Sequence, residues 1–397
     1  MNKENNILIA AQTPYQFFSA ILIGKKLIDT GAKVSLILVD PALERFYSSC
    51  LESNLFESVK YFQINNKEVN ADGNNLSNKL KNFIKLRSIK KVINKFLIDS
   101  NFKSIVVFSD NHEIMAHLLY AGKKIINART LMAEEGTAVF FSYKRSSLDT
   151  FKSAIRRFLG FSNYRGYSIG WSPYIDSIIV SLPELVHEDY KQDRNIYTYP
   201  DGIYPQDVIN LFGRLSELGN DLLNKDSPEI FYLGQPWVES GLWNKETEQN
   251  LLSCFENSRY ADKICIKPHP FENSKKYSGL KRVSLINGVL NEVPAEILFF
   301  NMKPQLVISV FSSAVINYCL RYKQKGILMV FKDSPVDLND FIIKNFQNNK
   351  YITVVYSIDE LNDVLNNSEI PEKSRVSQSL QASRDWEGTI NSAVFNL

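Results

Sequence analysis

Lys267-Pro268-His269-Pro270 sets an imidazole between two prolines, directly after the apolar run Lys263-Ile264-Cys265-Ile266. Proline fixes its own φ and restricts the residue before it, so His269 stands on a stiff backbone at the expected end of a strand. Held beside a phosphate, such a ring can neutralise charge growing on a leaving group or protonate it as a general acid. An ordinary stiff turn with an incidental surface histidine uses the same four residues. A second polar group follows Leu306-Val307-Ile308-Ser309-Val310, where Phe311-Ser312-Ser313-Ala314 opens a helical pattern carried by Ile316, Tyr318 and Leu320. Serines there combine hydroxyls with the unpaired N–H groups of a helix N-terminus, which is a phosphate site, or simply an N-cap. A third group is Glu134-Glu135-Gly136, after Thr130-Leu131-Met132-Ala133. Adjacent carboxylates repel, and burial of one raises its pKa toward that of a base able to deprotonate a hydroxyl; a solvated turn reads the same way.

These groups need elements to position them. Ile7-Leu8-Ile9-Ala10-Ala11 reads as a buried strand ending in Gln12-Thr13-Pro14, with Phe17, Phe18, Ile21, Leu22 and Leu27 following at helical spacing. Further apolar runs at Val34-Ser35-Leu36-Ile37-Leu38-Val39 and Ser104-Ile105-Val106-Val107-Phe108-Ser109 alternate with helical patterns, which predicts an open parallel α/β sheet. After a segment rich in Tyr, Pro and Asp (Tyr197-Thr198-Tyr199-Pro200-Asp201-Gly202) the pattern restarts. New runs lie at Glu229-Ile230-Phe231-Tyr232-Leu233, at the two strands already named, at Gly326-Ile327-Leu328-Met329-Val330 and at Ile352-Thr353-Val354-Val355. The expectation is two Rossmann-like domains, residues 1–205 on the acceptor side and 206–397 on the donor side, the last helix able to cross back to the first. Tandem sheets of this kind bind ligands in a cleft beyond the carboxyl ends of their strands, the architecture called GT-B. The Asn- and Lys-rich stretch 65–82 reads as a surface loop.

Bulk properties narrow the classes. With 397 residues, 44% hydrophobic and 22% charged, the chain exceeds one core and suits two globular domains. A net charge of +3 is too small for bulk nucleic-acid binding. Cys50, Cys254, Cys265 and Cys319 are far apart, without a CxxC pair or zinc-ligand spacing, so no metal site or disulfide framework is expected and the setting reads as reducing and cytoplasmic. The N-terminal apolar run is too short for a signal h-region, and no run approaches the ~20 residues of a membrane span.

Residues 79–95 hold Lys81, Lys85, Arg87, Lys90 and Lys91 without a carboxylate, interleaved with Phe83, Ile84, Leu86, Ile89, Val92 and Ile93. Phe151, Ile155, Phe158 and Leu159 with Lys152, Arg156 and Arg157 form a second basic amphipathic pattern. Either can meet the anionic inner face of a membrane or a charged glycan, or be a solvated helix packed on its own sheet. Asn111 and His112, at a strand end, are candidate acceptor contacts, as are Gln12 and Thr13 for acceptor or donor sugar; His117 and His187 read as structural.

Taken in order, Glu134-Glu135-Gly136, His269-Pro270 and Ser312-Ser313 resemble the three signatures of bacterial sialyltransferases of glycosyltransferase families 52 and 38, the latter including the capsule polysialyltransferases. Thr13-Pro14-Tyr15-Gln16 is similar to the first loop of family 52, whereas the Glu-Glu pair is similar to family 38. The resemblance implies Glu134 or Glu135 as general base, the first preferred, and His269 as the acid facing the CMP phosphate. It further implies Ser312 and Ser313 on that phosphate, Lys267 and Pro270 at the cytosine, and Glu296 on the ribose hydroxyls. The reaction expected is metal-free inverting transfer of sialic acid, or another nonulosonic acid, from a CMP donor to a bacterial surface glycan such as lipooligosaccharide or capsule. CMP is a monophosphate leaving group, and no Asp-x-Asp pattern lies near the candidate site, so no cofactor is expected. Two other classes fit the phosphate-directed groups: a CDP-glycerol or CDP-ribitol phosphotransferase, and a non-catalytic nucleotide-sugar binding protein.

Overall fold

The computed structural model describes residues 5–64, 76–136, 138–140, 147–158, 160–162, 169–191, 194–198, 206–215, 228–331 and 336–367. The chain divides into two compact units, each built on one parallel sheet.

The first sheet contains β1 (Asn6–Ala11), β2 (Lys33–Val39), β3 (Ser58–Phe62), β4 (Ser104–Val107), β5 (Arg129–Ala133), β6 (Ser177–Val180) and β7 (Asn195–Thr198), in the order β3-β2-β1-β4-β5-β6-β7. Ile7 through Ala11 are fully buried, as continuous apolar runs require when helices cover both faces. The strand order reverses between β1 and β4, the switch point outside which ligands bind in open α/β sheets. Helices α1 (Pro14–Asp29), α2 (Glu44–Ser53), α3 (Leu76–Ser100), α4 (Glu113–Lys124), α5 (Ser147–Phe158), α6 (Glu188–Lys191) and α7 (Gln206–Leu215) belong to this unit. Helix α1 starts where the notional turn signals lie: Thr13 Oγ1 caps it by accepting from Gln16 N at 3.2 Å, and Pro14 opens its first turn.

Helix α7 falls on the other side of the boundary expected after residue 205. Its apolar residues Val208, Ile209, Phe212 and Leu215 are buried, and the Phe212 ring lies 5.5 Å from Phe18, 5.9 Å from Phe17 and 6.2 Å from Phe46. Burial of that face on α1 and α2 decides the helix's membership, where the Tyr-Pro-Asp composition upstream of it suggested an earlier break. Two other expectations shift. Of the loop expected over 65–82, residues 65–75 lie outside the described residues, and from Leu76 the chain is helix α3, because Leu76, Leu80 and Phe83 keep helical spacing through the Asn- and Lys-rich stretch. Lys90 is no surface charge: it is buried, and its Nζ meets Glu113 Oε1 at 2.5 Å.

The second sheet contains β8 (Ile230–Leu233), β9 (Ile264–Lys267), β10 (Ser284–Leu285), β11 (Leu306–Ser309), β12 (Lys325–Met329) and β13 (Ile352–Val355), in the order β10-β9-β8-β11-β12-β13. Its reversal lies between β8 and β11. Helices α8 (Lys245–Asn257), α9 (Ala295–Met302), α10 (Ser313–Tyr322), α11 (Val336–Phe346) and α12 (Ile358–Asn367) complete the unit. Its core joins Ile230, Tyr232, Phe255, Ile264, Ile308, Met329 and Leu361 across sheet and helices. The expected return of a last helix falls on residues 368–397, outside the described residues.

Candidate functional site

In the first unit, the candidate residues follow β1, β4 and β5, which are neighbours in the sheet. The two glutamates after β5 have separate fates. Glu134 is buried; its backbone N donates to Ile179 O at 2.8 Å and its Oε2 accepts the backbone N–H of Ser181. It therefore ties the end of β5 to the end of β6. Glu135 is half-buried, with Thr13 Oγ1 donating to its Oε1 at 3.5 Å and the Gln16 amide beside it. Burial pushes its carboxyl up to about 7, against the lowering effect of Gln16 and Thr13. Gly136 has φ 66°, the left-handed conformation that closes the turn without a Cβ clash. The two carboxyls thus stand in different surroundings, Glu134 on the Ser181 N–H and Glu135 beside Thr13 and Gln16.

Gln12 and Thr13 are both half-buried, and Gln12 N donates to Gln16 Oε1 at 2.7 Å. Gln16, fully buried, holds that loop through Gln12 N and lowers the Glu135 carboxyl; its part was not visible as chemistry in the Thr-Pro-Tyr-Gln run. His112 is the second strand-end candidate. It is the buried N-cap of α4, where Nδ1 accepts from Ile114 N at 3.1 Å, and burial lowers its pKa to about 4. Asn111 is exposed beside it. Asp110, which drew no functional reading, takes Gly170 N and Ser172 N at 2.7 Å each, while the Arg194 guanidinium donates to the carbonyls of the same two residues.

In the second unit, His269 lies on the loop after β9. His269-Pro270-Phe271-Glu272 is a β-turn: Glu272 N donates to His269 O at 2.9 Å, with proline at the second position that its fixed φ suits. Phe271 N donates to His269 Nδ1 at 3.2 Å, so in the neutral ring the proton belongs on Nε2. The ring is half-buried. Burial, then Lys267, lowers its pKa to about 4, with Glu239 opposing. The turn is itself held by Glu272, whose Oε2 accepts from His269 N at 2.5 Å and from Tyr277 Oη at 3.0 Å, while Lys276 Nζ lies 2.6 Å from Oε1. Gly234 makes room for it: a Cβ there would come within 2.3 Å of Glu272 Oε2.

Lys267 is buried and donates to Asn291 O at 2.6 Å. Desolvation lowers its pKa to about 8, and Glu296 is the largest effect opposing that. Glu296 is buried in the first turn of α9, so the structure brings these two candidates into electrostatic contact. Pro270 is exposed. Ser312 is the N-cap of α10 and Ser313 its first residue, both half-buried; the Ser312 side chain makes no capping hydrogen bond. The first-turn N–H groups lack intrahelical partners, as at any helix start, and this cap leaves the serine hydroxyl uncommitted. The His269 and Ser312 loops flank the end of β8, at the sheet's switch point. The Phe271 ring is 69% exposed and its centroid stands 5.4 Å from that of His269.

His117 bonds Asn94 Oδ1 at 2.9 Å and Ser162 Oγ at 3.2 Å, and His187 accepts from Asp189 N at 3.2 Å. Among the described residues, no group of three or more His, Cys, Asp or Glu side chains is placed to hold a metal ion, and no helix is long and apolar enough to cross a membrane.

Comparison with known proteins places these features in context. The family model described as alpha-2,8-polysialyltransferase (POLYST) matches residues 19–331, a span containing the Glu-Glu-Gly, His-Pro and Ser-Ser groups. The stretch 13–16 that resembles family 52 lies upstream of that match. Among solved structures, Arabidopsis thaliana UGT89C1 complexed with UDP aligns with a TM-score of 0.59 at 12% identity, over 98% of this chain and 100% of its own. Glycyrrhiza uralensis UGT73P12 complexed with glycyrrhetinic acid 3-O-monoglucuronide aligns at 0.55 and 9%, over 99% and 91%. The UDP-GlcNAc 2-epimerase of Methanocaldococcus jannaschii aligns at 0.52 and 14%, over 92% and 94%. At these identities the likeness is one of fold, and that fold is GT-B. No curated protein gives a significant sequence match.

Proposed function

The chain belongs to the alpha-2,8-polysialyltransferase family, and from that premise we propose that it is an inverting, metal-independent sialyltransferase that extends a sialic-acid-bearing bacterial surface glycan from a CMP-activated donor. The observation that carries the reading is the division of labour between adjacent carboxylates. Glu134 is spent on the Ser181 N–H, whereas Glu135 is half-buried and shifted to about 7, where a general base works near neutral pH.

In this reading Glu135 takes the proton from an acceptor hydroxyl as its oxygen attacks the anomeric carbon of the donor sugar. The new C–O bond forms as the bond to the CMP phosphate oxygen breaks, on the opposite face, which inverts the centre. His269 Nε2–H, the Ser312 and Ser313 hydroxyls and the first-turn N–H groups of α10 receive the charge on the departing phosphate. The free imidazole is neutral above about pH 4; an adjacent phosphate favours its protonated form and so readies it as an acid. Lys267 and Pro270 are assigned to the cytosine and Glu296 to the ribose, with the exposed Phe271 ring a further surface for the nucleotide.

The four cysteines are free and buried, which fits a cytoplasmic enzyme acting on capsule or lipooligosaccharide precursors. The test is incubation with CMP-sialic acid and a fluorescent oligosialyl acceptor, read by anion-exchange separation of products and by CMP release. A ladder of lengthened products that His269→Ala and Glu135→Ala both abolish supports the proposal. Inertness toward CMP-sialic acid with turnover of CDP-glycerol, or tight CMP binding without turnover, would overturn it.

A further inference from the structure

Helix α5 faces the wrong way for a helix of a globular core. Phe151, Ile155 and Phe158 are 63%, 44% and 92% exposed, while Ser153 is buried. Positions i, i+4 and i+7 lie along one stripe, so the apolar side of the helix is the side turned outward. The end of the helix is fastened. Lys90 Nζ, paired with Glu113, also donates to Gly160 O at 2.8 Å and Ser162 Oγ at 3.2 Å, and the Phe161 ring stands 5.7 Å from Phe83 on α3. A buried ion pair thus fixes the segment that follows α5 onto α3 and α4.

Helix α3 continues the character of this region. It exposes Ile84, Val92 and Ile98 at 59%, 53% and 57%, among the exposed Lys85, Arg87, Lys91 and Lys95. The sequence over 79–95 contains no carboxylate, and 147–158 contains Asp149 alone against Lys152, Arg156 and Arg157. We propose that α5, with the basic outer side of α3, is a docking face for an anionic lipid bilayer. A short helix with aromatic and aliphatic tips framed by cations is the composition that lies in a membrane interface, its apolar side chains entering the acyl boundary and its cations meeting phosphate headgroups. A second copy of the chain is the poorer occupant. A twofold interface sets the same patch against itself, which would oppose lysine and arginine to lysine and arginine, and three side chains on a three-turn helix fall well short of the roughly 1,200 Å² of a stable interface.

This assignment is independent of the transfer reaction and is tested apart from it. The full chain is mixed with vesicles of phosphatidylcholine alone, or of phosphatidylcholine and phosphatidylglycerol, and recovered by flotation. The expected result is binding to the anionic vesicles at least tenfold above the zwitterionic ones, weakened by salt, and reduced at least tenfold in Phe151→Ser/Phe158→Ser. Both side chains are exposed, so that variant keeps the wild-type circular dichroism and its transfer to a soluble acceptor. No binding of the wild type to anionic vesicles overturns the proposal, as does equal binding by the variant. So does a wild-type dimer in sedimentation velocity that the variant loses, because the face is then a protein interface.

Discussion

Glu272 Oε2 accepts the backbone N–H of His269 at 2.5 Å, so a carboxylate three residues downstream holds the histidine's own backbone in place. The same oxygen takes the Tyr277 hydroxyl, the other oxygen meets Lys276, and Gly234 leaves the space. The ring's Nδ1 is in turn occupied by Phe271 N. Backbone and ring are therefore fixed by the chain itself, which is what the role proposed for His269 at a leaving phosphate requires.

Glu272→Ala should therefore lower kcat by about 10²-fold, the size of effect expected from a misplaced catalytic group, with a smaller change in donor KM. Glu272→Gln, which retains an acceptor for His269 N, should recover a large part of the loss. Steady-state kinetics on folded protein decides it. A uniform KM increase with unchanged kcat would instead place Glu272 in donor binding.

Glu135→Gln should cost about 10²–10⁴ in kcat and remove the rise of rate with pH through about 7 that an ionising base produces. The stability sign is the reverse of an ordinary carboxylate's. With its folded pKa raised from 4.5 to about 7, Glu135 binds more proton when folded, so stability falls as pH rises between those values. At pH 8, Glu135→Gln should be more stable than the wild type by roughly 1–2 kcal/mol in urea titration, a figure reduced for partial exposure. Glu134→Ala should act the other way. It strips the buried Ser181 N–H of its acceptor, costs about 1–3 kcal/mol, and leaves the pH midpoint of the remaining activity in place.

The contrast within this pair shows where sequence reading stops. Glu134-Glu135-Gly136, His269 and Ser312-Ser313 were visible as chemistry because their types are unusual at strand ends. That the two glutamates have different surroundings was not, since the bond Glu134 accepts comes from Ser181 after β6, some 47 positions away. Strands with continuous apolar runs, β1, β2, β8 and β11, were legible for the reason that parallel sheets bury both faces. Strand β7 was not: Asn195-Ile196-Tyr197-Thr198 is a half-buried edge strand in a polar stretch, and β10 is only Ser284–Leu285. Glu272 is a third kind of case. Its clamp on His269 exists only because Gly234, on another strand's loop, leaves room for the carboxylate.

Acid should destabilise the protein through its histidines. Burial lowers His112 and His269 to about 4 and His117 to about 3, from 6.5. Below 6.5 the unfolded chain binds protons that the folded chain refuses, so each contributes a loss of stability as pH falls toward its folded pKa. Glu135 works against them between 7 and 4.5, as do Asp40, Asp110 and Glu248, whose carboxyls burial also raises above their usual values. The urea midpoint should fall between pH 7 and pH 5. His117→Asn, which removes the lowest of the three, should flatten that dependence even if it lowers stability at pH 7.

Lys90 provides the sharpest test of the fold around α5. Its Nζ lies 2.5 Å from Glu113 Oε1, and Ser162 N donates to that same oxygen. Both side chains are buried, so Lys90→Met leaves a carboxylate out of water without its counter-ion, and a loss of about 3–5 kcal/mol is expected from broken buried pairs. Removing both charges, in Lys90→Met/Glu113→Gln, should restore much of that loss, because the desolvation penalty disappears with the charge. His117 reports the loss of the Lys90 charge by pH as well as by stability. The Lys90 charge helps to hold its pKa down, so with Lys90 gone the ring should titrate at a higher pH, measurable by NMR of the imidazole protons. A pH titration of His117 that ignores Lys90→Met would mean that burial alone sets it.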